Sequence, residues 1–386
     1  MILEIPTGKG HHINDINDFS QTGTRHSVEN SDPILSSLGD YAAAARQAMT
    51  PVAAAYFMGG AGDEVTLAQN RAAYDRYALV PRILTGMTGG STRLSLLGRE
   101  LTHPILLAPV AYQRMAHPHG ESGTATAAAA LEALMVLSCQ ASEPMEDVAR
   151  AGTTCRWFQI YMQPTRDATL TLVRRAEAAG YEAIVVTVDA PISGVRNREM
   201  RVGYELPDGI APVNLQGLPP PPPLPEGGNA VFDHFMANAP GWADIEWLRR
   251  QTGLHLILKG VLHPDDARRA VSAGADALIV SNHGGRVLDT SVPTLVQLPA
   301  VVDAVQGAVP VLMDGGITRG TDIIKARALG ATAVLIGRPI VEALSVRGAQ
   351  GVAHILRLLR DELEIAMALC GCSSLDMIGP ELLHEM

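Results

Sequence analysis

Eight short apolar runs recur along this 386-residue chain from Thr102 onward, and helical stretches separate them. They occupy 105–108, 135–138, 156–160, 183–188, 255–259, 277–280, 310–313 and 333–336. Runs of four to six apolar residues, bare on both faces, suit a buried parallel sheet. The segments between them, at 121–133, 143–151, 167–179, 264–273, 294–306 and 320–329, carry helical periodicity. Strand and helix in alternation, eight times over, predict the α/β class and a closed (β/α)8 TIM barrel. An open doubly wound sheet is the competing topology, but the G-x-G-x-x-G expected after its first strand is missing. Gly180, Gly274 and Gly330 each precede a run in the same Ala/Leu-Gly-x-x-Ala setting. They are expected to end a helix in the left-handed conformation and turn the chain into the next strand.

Residues 1–37 are polar and aperiodic and read as an arm, with His11 and His12 as a solvated pair. Residues 38–386 read as the barrel domain. Helical stretches at 38–57 and 63–76 form an N-terminal cap. One connection is far too long for a plain crossover: 191–253, after the fourth run. Such an excursion is a lid or a loop with its own task. Its run of prolines reads as a stiff surface spacer, with short helices at 230–235 and 242–250.

Forty acidic residues against thirty basic ones leave a net charge of −10. That argues against a nucleic-acid partner, which needs a basic face. It leaves an anionic small molecule open, because local arginines override the global sign. The four cysteines, Cys139, Cys155, Cys370 and Cys372, have neither zinc-site spacing nor a disulfide framework. Buried thiols in a reducing, cytoplasmic compartment and no metal site are expected. No secretory signal opens the chain and no apolar stretch is long enough to span a bilayer, so membrane association is not expected.

In a barrel, functional groups collect at the C-terminal ends of the strands. Here those ends are polar. They carry Pro109-Val110-Ala111-Tyr112, Ser138 and Gln140, Gln159 and Tyr161, Thr187 and Asp189, and Lys259. The sixth run delivers Ser281-Asn282-His283-Gly284-Gly285-Arg286, the seventh Asp314-Gly315-Gly316, and the eighth Gly337-Arg338. The last two, with helix N-termini beside them, form an anion cradle suited to a phosphate. His283 is the best base, with Asp189 to fix its tautomer. Arg196 and Arg286 are suited to clamp a carboxylate. A histidine satisfied in the core is the bland alternative for His283, and two flanking glycines and an arginine argue against it. For Lys259 two readings stay open: an ammonium facing an anion or an electron-rich ring, and a Schiff-base lysine.

Together, L-x-K-G, S-N-H-G-G-R, D-G-G-I-x-R-G and I-G-R-P resemble the FMN-dependent L-2-hydroxy acid oxidases and dehydrogenases. That family includes glycolate oxidase, lactate oxidase and mandelate dehydrogenase. The resemblance covers about residues 38–380, and APVAYQRMAHPHGE is similar to 4-hydroxymandelate oxidases. It implies FMN as cofactor and oxidation of an (S)-2-hydroxy acid to the 2-oxo acid. His283 would take the substrate proton with Asp189 behind it. Arg196, Arg286 and Tyr56 would hold the carboxylate, and Tyr161 would hydrogen-bond the substrate on its hydroxyl or carboxylate side. Lys259 would stabilise the reduced flavin. Pro109, Val110, Ala111, Ser138, Gln159 and Thr187 would line its ring. Ser281, Asp314, Gly315, Gly316, Arg319, Gly337 and Arg338 would bind its phosphate tail. The resemblance further implies a homotetramer or larger assembly. The electron acceptor would be dioxygen, giving hydrogen peroxide, or a quinone or cytochrome. Ala111 leans towards dioxygen, and a cytochrome-fused form is not expected.

Two departures from the family pattern stand out. Gln140 lies where several members carry an aromatic residue, so substrate choice is open. Thr318 replaces the first arginine of D-G-G-x-R-R-G, which leaves Arg319 as the expected phosphate contact. Tyr112, with Met115 nearby, is expected to stand over the substrate side chain and favour an aryl or medium-sized apolar group over glycolate.

Overall fold

Eight parallel strands close into a barrel in chain order. They are β1 (Ile105–Leu107), β2 (Met135–Ser138), β3 (Arg156–Ile160), β4 (Ala183–Thr187), β5 (His255–Lys259), β6 (Ala277–Val280), β7 (Val311–Asp314) and β8 (Ala333–Ile336). The structure is a computed structural model and describes residues 34–152, 156–220 and 228–386. Most of the arm read at 1–37, part of the proline run and Cys155 lie outside those residues.

The register that closes the ring pairs Val334, Leu335 and Ile336 of β8 with Ile105, Leu106 and Leu107 of β1. Three strand ends differ from the sequence reading. β1 stops at Leu107, β4 stops at Thr187, and β7 is shifted by one residue, from 310–313 to Val311–Asp314. Pro310 has no N–H to give to a ladder, although its carbonyl accepts from Leu278 N at 3.0 Å. Asp314 is therefore a barrel residue, not the start of a turn.

Side chains alternate across a strand, and the barrel uses both faces. Leu106, Val136, Val185, Ile257, Ile279, Leu312 and Leu335 meet in one inner cluster. The other face is buried too, against helices, which is why these runs are apolar throughout. Gly180, Gly274 and Gly330 have φ of 77°, 89° and 103°, the left-handed turns expected before β4, β6 and β8.

The bottom of the barrel is closed by a hairpin that the sequence did not announce. Leu94–Leu96 pairs antiparallel with Arg99–Leu101. Leu97 and Gly98, with φ of 48° and 76°, make the tight two-residue turn such a hairpin requires. Leu96 and Leu101 join the inner cluster beside Leu134, Ala183, Ala277 and Ala333, near the N-terminal ends of the strands. Each leucine buried in this way contributes about 1.5–3 kcal/mol.

The helical cap comprises α1 (Leu38–Ala48), α2 (Pro51–Met58) and α3 (Val65–Ala72). Ser37 and Thr50 cap the first two, and Pro51 occupies the first helical position of α2. The cap borders the mouth of the barrel: Ala61 N donates to Gly285 O at 2.8 Å. The remaining helices are α4 (Gly120–Ala130), α5 (Met145–Ala151), α6 (Arg166–Ala178), α7 (Asn197–Arg201), α8 (Trp242–Gln251), α9 (Pro264–Ser272), α10 (Thr294–Val305), α11 (Gly320–Ala328) and α12 (Arg338–Cys370).

α12 is broken at Arg347 and Gly348, whose dihedrals are not helical. It packs against α1, where Tyr41 Oη meets His354 Nδ1 at 2.9 Å. In the excursion, the helix expected at 230–235 is a π-helix over Ala230–Met236, and the one at 242–250 is α8. α7 was not foreseen. Cys139, Cys370 and Cys372 are buried free thiols. No helix among the described residues is long and apolar enough to cross a membrane.

Candidate active site

The inward face that builds the core continues upward one more step, and there it turns polar. Ser138, Gln159, Thr187, Lys259 and Asp314 occupy the upper inward positions of their strands, and Ser281 follows β6 in the same alternation. The pairings Ser138↔Gln159 and Thr187↔Lys259 bring these groups side by side. Ser138 Oγ donates to Gln159 Oε1 at 3.1 Å, and Gln159 Nε2 donates to Thr187 Oγ1 at 2.9 Å. A cavity of about 1620 Å³ opens above this layer. One drug-sized ligand needs roughly 300–1,000 Å³, so there is room for a cofactor and a substrate together.

Lys259 is buried, and its charge is paired. Nζ lies 3.0 Å from Asp314 Oδ2 and donates to Ser281 Oγ at 2.8 Å. Burial alone would lower its pKa, but Asp314 and Asp189 more than offset this, so the ammonium is held above its ordinary value. It stays charged and lines the cavity. Asp314 faces the lysine, and its Oδ1 has no partner among the described residues. Ser281 is fully buried, accepts from Lys259, and is not part of the cavity wall.

His283 follows β6 in a backbone that glycine makes possible. His283, Gly284 and Gly285 have φ of 57°, 64° and 74°, three successive left-handed residues. A side chain at Gly285 would meet Leu67 N at 2.6 Å. Asn282 ties this loop down: its amide and that of Asn70, from the cap, bond reciprocally at 2.8 Å. The ring is thereby aimed at Asp189, with Nδ1 3.0 Å from Oδ1. Nε2 has no protein partner among the described residues, and the side chain lines the cavity. Burial pushes the imidazole below its usual pKa, Asp189 pulls it up, and Lys259 and Arg286 add to the fall. Burial would raise Asp189, but His283 and Lys259 prevail and hold its carboxyl below the usual range. A neutral imidazole therefore faces the cavity, backed by a carboxylate.

The two arginines converge beside it. Arg286 Nη1 donates to Gly59 O at 3.0 Å and to Tyr56 O, which anchors the guanidinium to the cap. Its Nη2 lies 3.4 Å from Glu199 Oε1, and Arg196 Nη1 lies 3.2 Å from the same oxygen. Arg286 sits over the Tyr56 ring at 4.9 Å. That ring stacks on Tyr204 at 5.2 Å and tilts against Tyr112 at 5.8 Å. Tyr112 and Gln140 both line the cavity, with Tyr112 N donating to Gln140 O. Burial raises the phenols of Tyr56, Tyr112 and Tyr161, that of Tyr112 to about 12, so all three remain protonated donors near neutral pH.

The expected anion cradle has the right backbone but a different arrangement of arginines. Gly315 and Gly316 have φ of 103° and 77°, and a Cβ at Gly316 would meet Asn70 O at 2.2 Å. Gly337 caps α12 without a side-chain hydrogen bond, so the first N–H groups there are free of one. Arg338 is partly buried and holds Gly284 O and Gly59 O, both at 2.8 Å. Its Nε has no partner among the described residues. Burial, with Arg286 next, lowers its pKa to about 9. Arg319 pairs with Glu362 at 2.9 Å and is half exposed. At Thr318, where the family pattern has an arginine, Arg71 reaches in from the cap and bonds Thr318 Oγ1 at 2.9 Å and Gly316 O at 2.8 Å.

Pro109, Val110, Ala111, Gln140, Tyr161, Arg196 and Gly337 all line the cavity, as do the other expected contacts apart from Asp189 and Ser281. Met115 does not; it packs against the cap. Glu199, Tyr204, Asn70 and Arg71 went unnoticed in the sequence. Only Glu199 had a visible signal, standing three residues after Arg196 and so on one helical face with it.

A profile of the family described as FMN-dependent dehydrogenase matches residues 45–385. The chain is 52% identical over 331 residues to an L-lactate oxidase of Roseobacter sp. (strain GAI101), covering 85% of this chain and 89% of that one. It is 41% identical over 349 residues to the glycolate oxidase of Spinacia oleracea, covering 89% and 94%. Its structure is similar to a crystal structure of mandelate oxidase with benzoyl-formic acid. The TM-score there is 0.83 at 41% identity, covering 91% of this chain and 98% of that one.

Proposed function

The chain belongs to the FMN-dependent dehydrogenase family and is an FMN-dependent 2-hydroxy-acid oxidase, and on that premise we propose an (S)-2-hydroxy acid with an aryl or medium-sized apolar side chain as its substrate and dioxygen as its electron acceptor. The observation that carries the reading is the His283–Asp189 pair facing the same cavity as Arg196 and Arg286.

The residues present fit FMN. The polar layer Ser138–Gln159–Thr187 and the Lys259 ammonium offer donors to a ring that carries carbonyl and nitrogen acceptors. Gly315 and Gly316 leave their surroundings no room for a Cβ, so the backbone itself forms that wall. The buried, unpartnered Arg338 Nε and the N-terminus of α12 suit the phosphate tail. Asp314, by contrast, suits a hydroxyl donor better than a phosphate, because its carboxylate would repel one. FMN, when bound, supplies the two-electron redox chemistry.

The protein's own part is positioning and proton transfer. Arg286 and Arg196 hold the substrate carboxylate, and Tyr56 and Tyr161 donate to its oxygens. His283 Nε2 accepts the proton that leaves the substrate, and Asp189 stabilises the imidazolium that results. Lys259 offsets negative charge that accumulates at the cofactor during reduction. The acid loses two electrons and two protons to become the 2-oxo acid, and dioxygen takes up both pairs as hydrogen peroxide. The aromatic wall of Tyr56, Tyr112 and Tyr204 supports an aryl or medium-sized side chain. A cytoplasmic homotetramer or larger assembly belongs to the same reading; the buried free thiols support the compartment, and sedimentation tests the assembly.

A visible spectrum of the purified protein tests the function. Flavin bands should bleach anaerobically with (S)-mandelate and not with the (R) form. Air should restore them rapidly with release of peroxide. No bleaching across a panel of 2-hydroxy acids overturns the reading, and slow recolouring in air assigns a different acceptor.

A further inference from the structure

Glu199 places a protein carboxylate where the substrate's is expected. Its Oε1 lies 3.2 Å from Arg196 Nη1 and 3.4 Å from Arg286 Nη2, so a single oxygen bridges both guanidiniums. All three side chains are largely buried. Arg286 Nη1 is committed to the carbonyls of Tyr56 and Gly59. Nη2 is thus an edge left for a ligand, and Glu199 occupies it. The Arg196 Nε is directed at Arg286 O at 3.4 Å, which leaves its Nη groups for a ligand, and Glu199 takes Nη1.

We propose that Glu199 is an internal competitor for the substrate carboxylate. It sets the affinity of the site for monoanionic acids, weakens the 2-hydroxy acid and the 2-oxo acid product alike, and so favours product release. This rests on the reading of Arg196 and Arg286 as the carboxylate site.

The physical reason is the local charge. Two guanidiniums and one glutamate leave a net single positive charge, which one bound carboxylate neutralises. Charge-assisted bonds are the strong ones in such a site, and partial exclusion of water magnifies them. Tyr56 and Tyr204 screen the pair from one side. Replacing Glu199 with glutamine keeps its size and an acceptor oxygen and removes the charge. An entering anion then meets two uncompensated guanidiniums. A neutral ligand of the same shape gains nothing. A residue that only braced the helix would affect both ligands equally.

The test uses FMN-loaded wild type, Glu199→Gln and Glu199→Asp. Each is titrated with benzoylformate and with its neutral amide, and binding is read from the flavin spectrum. Glu199→Gln should bind benzoylformate at least about tenfold more tightly, with amide affinity unchanged. Glu199→Asp, one methylene shorter, should draw the carboxylate back and tighten binding by a smaller factor. Unchanged or weaker benzoylformate binding in either variant overturns the proposal, and so does equal tightening of the amide. If Glu199→Gln does not retain FMN, Glu199→Asp decides alone. Bleaching of the wild type by (S)-2-hydroxy acids is scored separately. Its absence removes the proposed reaction, whereas the anion–amide contrast still tests the competitor.

Discussion

His283 Nδ1 and Asp189 Oδ1 meet at 3.0 Å, bringing together the ends of β6 and β4, and Gly260 at the end of the intervening strand leaves the space for the carboxylate. The contact fixes which imidazole nitrogen points into the cavity. It also sets opposing influences on the ring's pKa, with burial and two cations against one carboxylate.

The pH dependence follows from those signs. His283 accepts a proton only when neutral, so activity is lost as pH falls through its pKa. Burial holds that pKa below the ordinary imidazole value, so the acid limb of kcat/KM should lie below about pH 6.5. In Asp189→Asn the upward pull is gone. The limb should move to lower pH and kcat should fall roughly 10²–10⁴-fold. Steady-state rates across pH check both; a limb that Asp189→Asn leaves in place contradicts the pairing.

Gly260→Ala tests the same contact without touching either partner. Gly260 has φ +108°, and a Cβ there would lie 2.5 Å from both Cβ and Cγ of Asp189. The carboxylate must shift. FMN should remain bound, while kcat falls on the order of 100-fold from the displaced base. A variant with full activity would mean that the position of Asp189 is not critical.

Lys259 and Asp314 are a buried pair at 3.0 Å. Lys259→Met leaves the carboxylate buried without its cation and should destabilise the apoprotein by about 3–5 kcal/mol in chemical denaturation. The double variant Lys259→Met/Asp314→Leu removes both charges and should recover most of that loss. Equal stability of single and double variants would show that the two groups do not interact.

Substrate preference should respond to the aromatic wall. Tyr112 lines the cavity and packs against the Tyr56 ring. Tyr112→Ala should lower kcat/KM for (S)-mandelate relative to (S)-lactate by about tenfold or more, as expected for a lost apolar contact. An unchanged ratio would locate the substrate side chain elsewhere.

Much of the barrel was legible because buried parallel strands must be apolar on both faces, a pattern that survives without any knowledge of packing. The β7 shift shows the limit of that pattern: Pro310 is apolar enough to be counted, yet it cannot donate to a ladder. The hairpin at 94–101 escaped notice because its strands are three residues long, and one of them is Arg99-Glu100-Leu101. Too few positions are present for any period to register.

The site divides along the same line. His283, Asp189, Lys259 and Arg286 could be named from the chain alone, since a charged or titratable group at the end of an apolar strand stands out against its neighbours. The pairing of His283 with Asp189 could be named too, but the partners of the lysine and the arginines could not. That Lys259 is neutralised by Asp314, that Arg71 from the cap reaches Thr318, and that Glu199 bridges two arginines depends on side chains between 3 and 247 residues apart. Local sequence determined the strand–helix alternation and the chemical inventory at the strand ends, because both follow from periodicity and residue type. Which charges meet, which nitrogen of His283 faces the cavity, and what sits between the two arginines were decided by barrel closure and the folded-over cap, because electrostatic contacts depend on distance in space and not on separation along the chain.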